Sequence, residues 1–132
     1  MMWRRVDKLV AGAELSRRSR NITDLDLPRV IHKQEEIRRI FELGGPLRRY
    51  LSDLKLLLGI VRDYWTGEYR QLPWFTIAAV VAALLYVLNP LDMIPDILPG
   101  IGYLDDATVV AFCLNLVEAD LLRYREWKLR QG

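Results

Sequence analysis

Four aspartates, Asp92, Asp96, Asp105 and Asp106, lie within residues 89–106 beside Ile94, Ile97, Leu98, Ile101 and Leu104, and three prolines, Pro90, Pro95 and Pro99, interrupt the same stretch. A carboxylate buried among such neighbours must be paired, hydrogen-bonded or protonated. One use is architectural. Asp105 is placed to cap a following helix with Asp106 in its first turn, and Asp92 and Asp96 each sit near a proline where a carboxylate can accept backbone N–H groups. A second use is a divalent-cation site, since hard ions such as Mg²⁺ or Ca²⁺ take several oxygen ligands and the four carboxylates and the Asn89 amide share one proline-stiffened loop. The spacing lacks the regular acidic positions and closing glutamate of an EF-hand. A proton-linked or purely packing role is the third reading, and the residues alone leave all three open. Gly100 and Gly102 allow tight backbone turns after Pro99.

Other chemistry is poorly represented. His32, the single histidine, stands beside Lys33 on a polar helix and reads as a solvated side chain. There is no glycine-rich phosphate loop, zinc spacing or Ser/His/Asp set. The expectation is a protein that is not an enzyme. The lone Cys113, among Val109, Val110, Phe112 and Leu114, reads as a small hydrophobe, and one cysteine makes no disulfide framework. Arg17, Arg18, Arg20 and the pairs Arg38/Arg39 and Arg48/Arg49 are not interleaved with aromatics, which argues against nucleic-acid binding.

The elements that must hold the aspartate loop are helical. Trp3, Val6, Val10 and Ala13 recur at three- and four-residue steps, predicting an amphipathic helix over 3–16 closed by Arg17, Arg18 and Arg20, with a connector over 21–27. Asp26 and Pro28 then signal a helix start, with Val30, Ile37, Ile40 and Phe41 on its apolar face and Gly44–Gly45 at its end. Pro46 opens the most regular stripe of the chain: Leu47, Tyr50, Leu51, Leu54, Leu57, Leu58, Val61, Tyr64 and Trp65. Gly59 inside it should cost about 1 kcal/mol against alanine, so either another helix crosses closely there or the helix tolerates the loss. Thr66–Gly67 breaks the helix.

From Trp74 to Leu88 the chain is apolar on every side, between Pro73 in the first turn and Pro90 at the end. Such a helix is buried all round, in protein or in lipid. Another begins at Asp105 or Asp106 and continues through Val117 into the amphipathic segment Leu121, Leu122, Tyr124, Trp127 and Leu129. No alternating strand pattern is present. The predicted fold is all-α: a small helical bundle with a central apolar hairpin, about 73–89 and 106–129, joined by the Pro/Asp-rich loop. The chain of 132 residues divides into a basic amphipathic helical region, 1–72, and the hairpin with its C-terminal helix, 73–132, together forming one compact unit.

Net charge is only +2, yet Lys and Arg are confined to residues 4–70 and 123–130, and the four aspartates are the only formal charges in residues 71–117. The start of the chain lacks the long apolar region of a secretory signal, so no export is expected. The helix between Pro73 and Pro90 covers roughly 24 Å, less than the roughly 30 Å hydrocarbon thickness of a bilayer. Length alone fits a marginal spanning hairpin, a re-entrant hairpin or the core of a soluble bundle. Cations outside both apolar helices match a hairpin whose two ends stay cytoplasmic, and Trp74, Phe75, Tyr124 and Trp127 lie near those ends, where interfacial aromatics are favoured.

The run Asn89-Pro90-Leu-Asp92-Met-Ile-Pro95-Asp96, then Pro99 and Gly102, then Asp105-Asp106, resembles the signature of the YkvA-like family, a bacterial domain of unknown function. The likeness covers about residues 73–117, with Asn89, Pro90, Pro95, Pro99 and Gly102 as its structural positions. It implies a small helical, membrane-associated domain with transmembrane helices and no established catalytic activity. The resulting expectation is a non-enzymatic protein with membrane lipid as partner, its hairpin inserted from the cytoplasmic side and both termini cytoplasmic. The alternative is a soluble helical module whose aspartate loop binds a divalent cation or a protein partner.

Overall fold

Thr23 and Asp26 lead into the helix Asp26–His32 by satisfying each other's neighbourhood. The Thr23 N–H donates to Asp26 Oδ2 at 2.9 Å, the Asp26 N–H returns to the Thr23 carbonyl at 3.0 Å, and Arg29 pairs with Asp26 Oδ1 at 3.0 Å. This reciprocal arrangement fixes the turn that leads into the helix and satisfies the Asp26 N–H, one of the groups that a helix start leaves without an intrahelical partner. It begins α1, Asp26–His32, in a computed structural model that describes residue 15 and residues 19–43, 45–88 and 106–131.

The single helix predicted to end at Gly44–Gly45 is two. Lys33 leaves helical geometry (φ −99°, ψ 13°), and α2 then runs Gln34–Glu42. Leu27 and Val30 of α1 and Ile37 and Phe41 of α2 are all buried, so the break keeps both apolar faces turned inward. Gly45, at φ +71°, takes the left-handed conformation that glycine adopts without penalty. A 3-10 segment, Gly45–Tyr50, follows where an α-helix was predicted, and α3 occupies Leu51–Thr66. Gly67, at φ +85°, stops α3, and its N–H donates to the Tyr64 carbonyl.

α4, Trp74–Leu88, packs against α1, α2, α3 and α5, the last spanning Asp106–Gln131. Every residue from Thr76 to Val87 is buried. The sequence left this helix to be enclosed by protein or by lipid, and the enclosure is protein. Fifteen residues rise only about 22 Å, and among the described residues no helix is long and apolar enough to cross a membrane. The expected transmembrane helices are not found among the described residues. α5 lays Ala107, Val109, Val110, Cys113, Val117, Leu121 and Tyr124 against the core. Cys113 is fully buried, its Sγ donates to the Ala79 carbonyl at 3.7 Å, and burial pushes the thiol up to about 12.

The described residues form an all-α bundle with no strand. Of the predicted first helix, Leu15 is helical and buried, and its carbonyl accepts the Ser19 hydroxyl at 2.7 Å; residues 19–21 are helical too, so helical geometry holds at Asn21, where the connector was expected to begin. Asn89, Pro90, Asp92, Pro95, Asp96, Pro99, Gly102 and Asp105 lie outside the described residues. Asp106 is the first residue of α5, but its side chain is likewise outside.

Candidate functional site

Gly59 and Asp63 stand one turn apart on α3, and Tyr124 and Lys128 stand one turn apart on α5. Residues four apart on a helix share a face, and these two faces meet. The Tyr124 hydroxyl donates to Asp63 Oδ2 at 2.6 Å, and Lys128 Nζ donates to the same oxygen at 3.1 Å. Arg62 Nε approaches Asp63 Oδ1 at 3.9 Å. The Asp63 carbonyl also works, accepting the Tyr69 N–H at 3.1 Å and the Thr66 hydroxyl at 3.3 Å, so one residue ties α5 and the turn after α3 to the same point.

Gly59 is what allows the approach. A Cβ there would stand 2.6 Å from the Tyr124 hydroxyl oxygen, closer than real contacts permit. Of the two explanations that the sequence left for this glycine, close crossing is the one observed, and the crossing group is a phenol. Tyr69, Tyr124 and Trp127 close over the site, with ring centroids 5.1 Å apart for the two tyrosines, 4.9 Å for Tyr69 and Trp127, and 5.9 Å for Tyr124 and Trp127. Burial raises the Tyr124 pKa above the usual phenol value, and the hydrogen bond donated to Asp63 pushes it the same way. Tyr69 is raised as well, by burial and then by the Asp120 carboxylate, against Arg123 and Arg130.

A second carboxylate joins α5 to α4. The buried Thr76 hydroxyl donates to Asp120 Oδ2 at 2.6 Å, while Arg123 lies 3.5 Å from Asp120 Oδ1. Both clasps position helices, and their side chains line neither of the two grooves described next. A groove of about 420 Å³ runs between the 3-10 segment, α3 and α5, with Asp53, Glu118 and Arg125 on its walls. His32 lines a separate groove of about 430 Å³ with Lys33, Glu36 and Leu88. Among the described residues no group of three or more His, Cys, Asp or Glu side chains could hold a metal ion. The predicted ligands Asp92, Asp96 and Asp105 and the Asp106 side chain lie outside the described residues.

Sequence reasoning missed Asp63, Lys128, Thr76 and Asp120, and it put Tyr124 at a lipid interface although only 1% of it is exposed. A usable signal was present: a glycine and an aspartate one turn apart inside an apolar stripe mark a place where another helix comes close with a polar group.

The family model described as "Protein of unknown function (DUF1232)" matches residues 76–112. A relative from Bacillus subtilis (strain 168), named "Uncharacterized membrane protein YkvA", is 31% identical over 83 residues, covering 63% of this chain and 78% of the relative. The chain belongs to the YkvA-like family. The DUF1232 match takes in α4 from Thr76 and the start of α5 to Phe112. It includes Thr76 and excludes Asp63, Asp120, Tyr124 and Lys128, so the Asp63 clasp lies outside the DUF1232 match. No solved structure matches the chain.

Proposed function

We propose that this YkvA-like protein is a non-enzymatic, membrane-associated helical module that keeps its bundle folded at the bilayer surface. The observation that carries the reading is the enclosure of Thr76–Val87 by the surrounding helices, which leaves this body of α4 no lipid-facing side. A helix already surrounded by protein gains nothing from moving into hydrocarbon, because its apolar surface is out of water either way. The name of the Bacillus relative supports the membrane half of the proposal. The non-enzymatic half is supported by Asp63 and Thr76, buried polar groups committed to Tyr124, Lys128 and Asp120 and not directed at a ligand space.

Fractionation of cells producing the full chain tests this. The protein should sediment with membranes and be released by alkaline carbonate. Retention in the carbonate-washed pellet would overturn the surface arrangement in favour of an inserted hairpin, 73–89 and 106–129, with both termini cytoplasmic; the absence of any cation between Arg70 and Arg123 supports that second form. Recovery wholly in the unsedimented extract would overturn membrane association itself.

A further inference from the structure

The turn joining α3 to α4 exposes aromatic surface in a chain that buries Phe41, Tyr69, Tyr86 and Tyr124. Trp65, in the last turn of α3, is 40% exposed, and Trp74 and Phe75, which open α4, are 37% and 48% exposed. Trp65 was predicted to continue the apolar stripe of its helix, and it faces outward instead. One cation reaches these rings through Tyr64, and others are carried on α3 and α5. The Arg70 guanidinium sits 4.6 Å from the centroid of Tyr64, whose ring packs 6.1 Å from that of Trp74. The side chains of Arg62 and Lys128 are about half exposed, and that of Arg123 is largely so. Of the acidic groups here, Asp63 is buried against Tyr124 and Lys128, Asp120 is held by Thr76 and Arg123, and Glu68 is the exposed one on the turn.

Two tryptophans and a phenylalanine around one turn are an unusual surface for a water-facing end of a bundle. Tryptophan settles at the headgroup level of a bilayer, with its ring in apolar surroundings and its N–H toward water. Arginine beside it is drawn to anionic headgroups. We infer that this turn is the lipid anchor of the protein: Trp65, Trp74 and Phe75 enter the headgroup layer of an anionic bilayer while Arg62 and Arg70 engage its phosphates. The inference rests on the membrane reading above and assigns its contact surface.

Co-sedimentation of the full chain with vesicles of phosphatidylcholine, with and without phosphatidylglycerol, tests the assignment. Binding should require phosphatidylglycerol and weaken with added salt. Arg62→Gln/Arg70→Gln should lower partition by about thirty-fold, since each basic residue near an anionic surface contributes about five-fold. Trp65→Ser/Trp74→Ser/Phe75→Ser should abolish it, with the melting temperature measured alongside because each ring is partly buried and Trp74 packs on Tyr64. If the triple variant is destabilised, quenching of tryptophan emission by bromine-labelled lipid replaces it: the quenching should vanish in Trp65→Phe/Trp74→Phe and persist in Trp127→Phe. Wild-type binding that survives both sets of substitutions would overturn the anchor and leave membrane association standing. A wild-type chain that ignores both kinds of vesicle would overturn both and point to a protein partner for this surface.

Discussion

Asp63 and Asp120 both hold α5 to a neighbouring helix, and each accepts a hydroxyl at 2.6 Å, yet their surroundings differ. The Asp63 side chain is 4% exposed and receives a phenol and an ammonium on one oxygen, whereas the Asp120 side chain is 19% exposed and keeps contact with water beside Arg123. A hydrogen bond between groups that water can reach exchanges one partner for another at small net gain, but a sealed polar group left alone loses its full solvation. The same carboxylate–hydroxyl chemistry should therefore be worth several times more on the α3–α5 seam than on the α4–α5 seam.

The largest effect that could break this contrast is Asp63→Ala. It strands the Tyr124 hydroxyl in the core while Lys128, half exposed, turns to solvent, so the expected loss is about 3 kcal/mol, toward the lower end of the cost of breaking a buried pair. Urea unfolding followed by circular dichroism would check it. A loss no larger than that of the Thr76 variant below would remove the distinction between the two seams.

Gly59 offers an intermediate and more specific measurement. Alanine improves helix propensity by about 1 kcal/mol, but its Cβ would collide with the Tyr124 hydroxyl, so Gly59→Ala should be net destabilising, by about 1–2 kcal/mol after the propensity gain. In a Tyr124→Phe background the oxygen is gone and the nearest ring atom is 3.5 Å away, an ordinary contact. The same alanine should then stabilise. A sign that fails to reverse in this double-mutant cycle would show that the glycine answers to something other than the phenol.

The smallest effect belongs to the wetter seam. Thr76→Val keeps the shape of the side chain and removes the donor to Asp120, which retains Arg123 and solvent, so the expected cost is about 1 kcal/mol. A melting curve that drops as far as for Asp63→Ala would place Asp120 in the same class as Asp63 and sharpen the question of what excludes water there.

The contrast also explains which features could be read from the chain. Boundaries set by local chemistry were legible: Gly67 stops α3, Pro73 precedes α4, and α5 starts at Asp106. The break at Lys33 and the 3-10 character of Gly45–Tyr50 were not, because the apolar spacing of Leu27, Val30, Ile37 and Phe41 fits one continuous helix as well as two. The all-round apolar character of α4 announced burial but could not name the burying medium, since leucine and valine have the same preference for a protein core and a lipid tail. Asp63 stayed hidden among Val61, Tyr64 and Trp65 because its partners come from α5, and pairing at that separation leaves no periodic trace. The predicted ligand set, Asp92, Asp96, Asp105 and Asp106, is a matter of residues 89–105 and of one side chain outside the described structure.

The bond between Tyr124 and Asp63 joins positions 61 residues apart. During synthesis, α3 leaves the ribosome with its carboxylate already made and with neither the phenol nor the ammonium that will cover it. Until α5 emerges, Asp63 is best served by water, which disfavours tight closure of α3 against α4. The carboxylate thus keeps its water until α5, made later than α3, brings the hydroxyl and the ammonium that replace it.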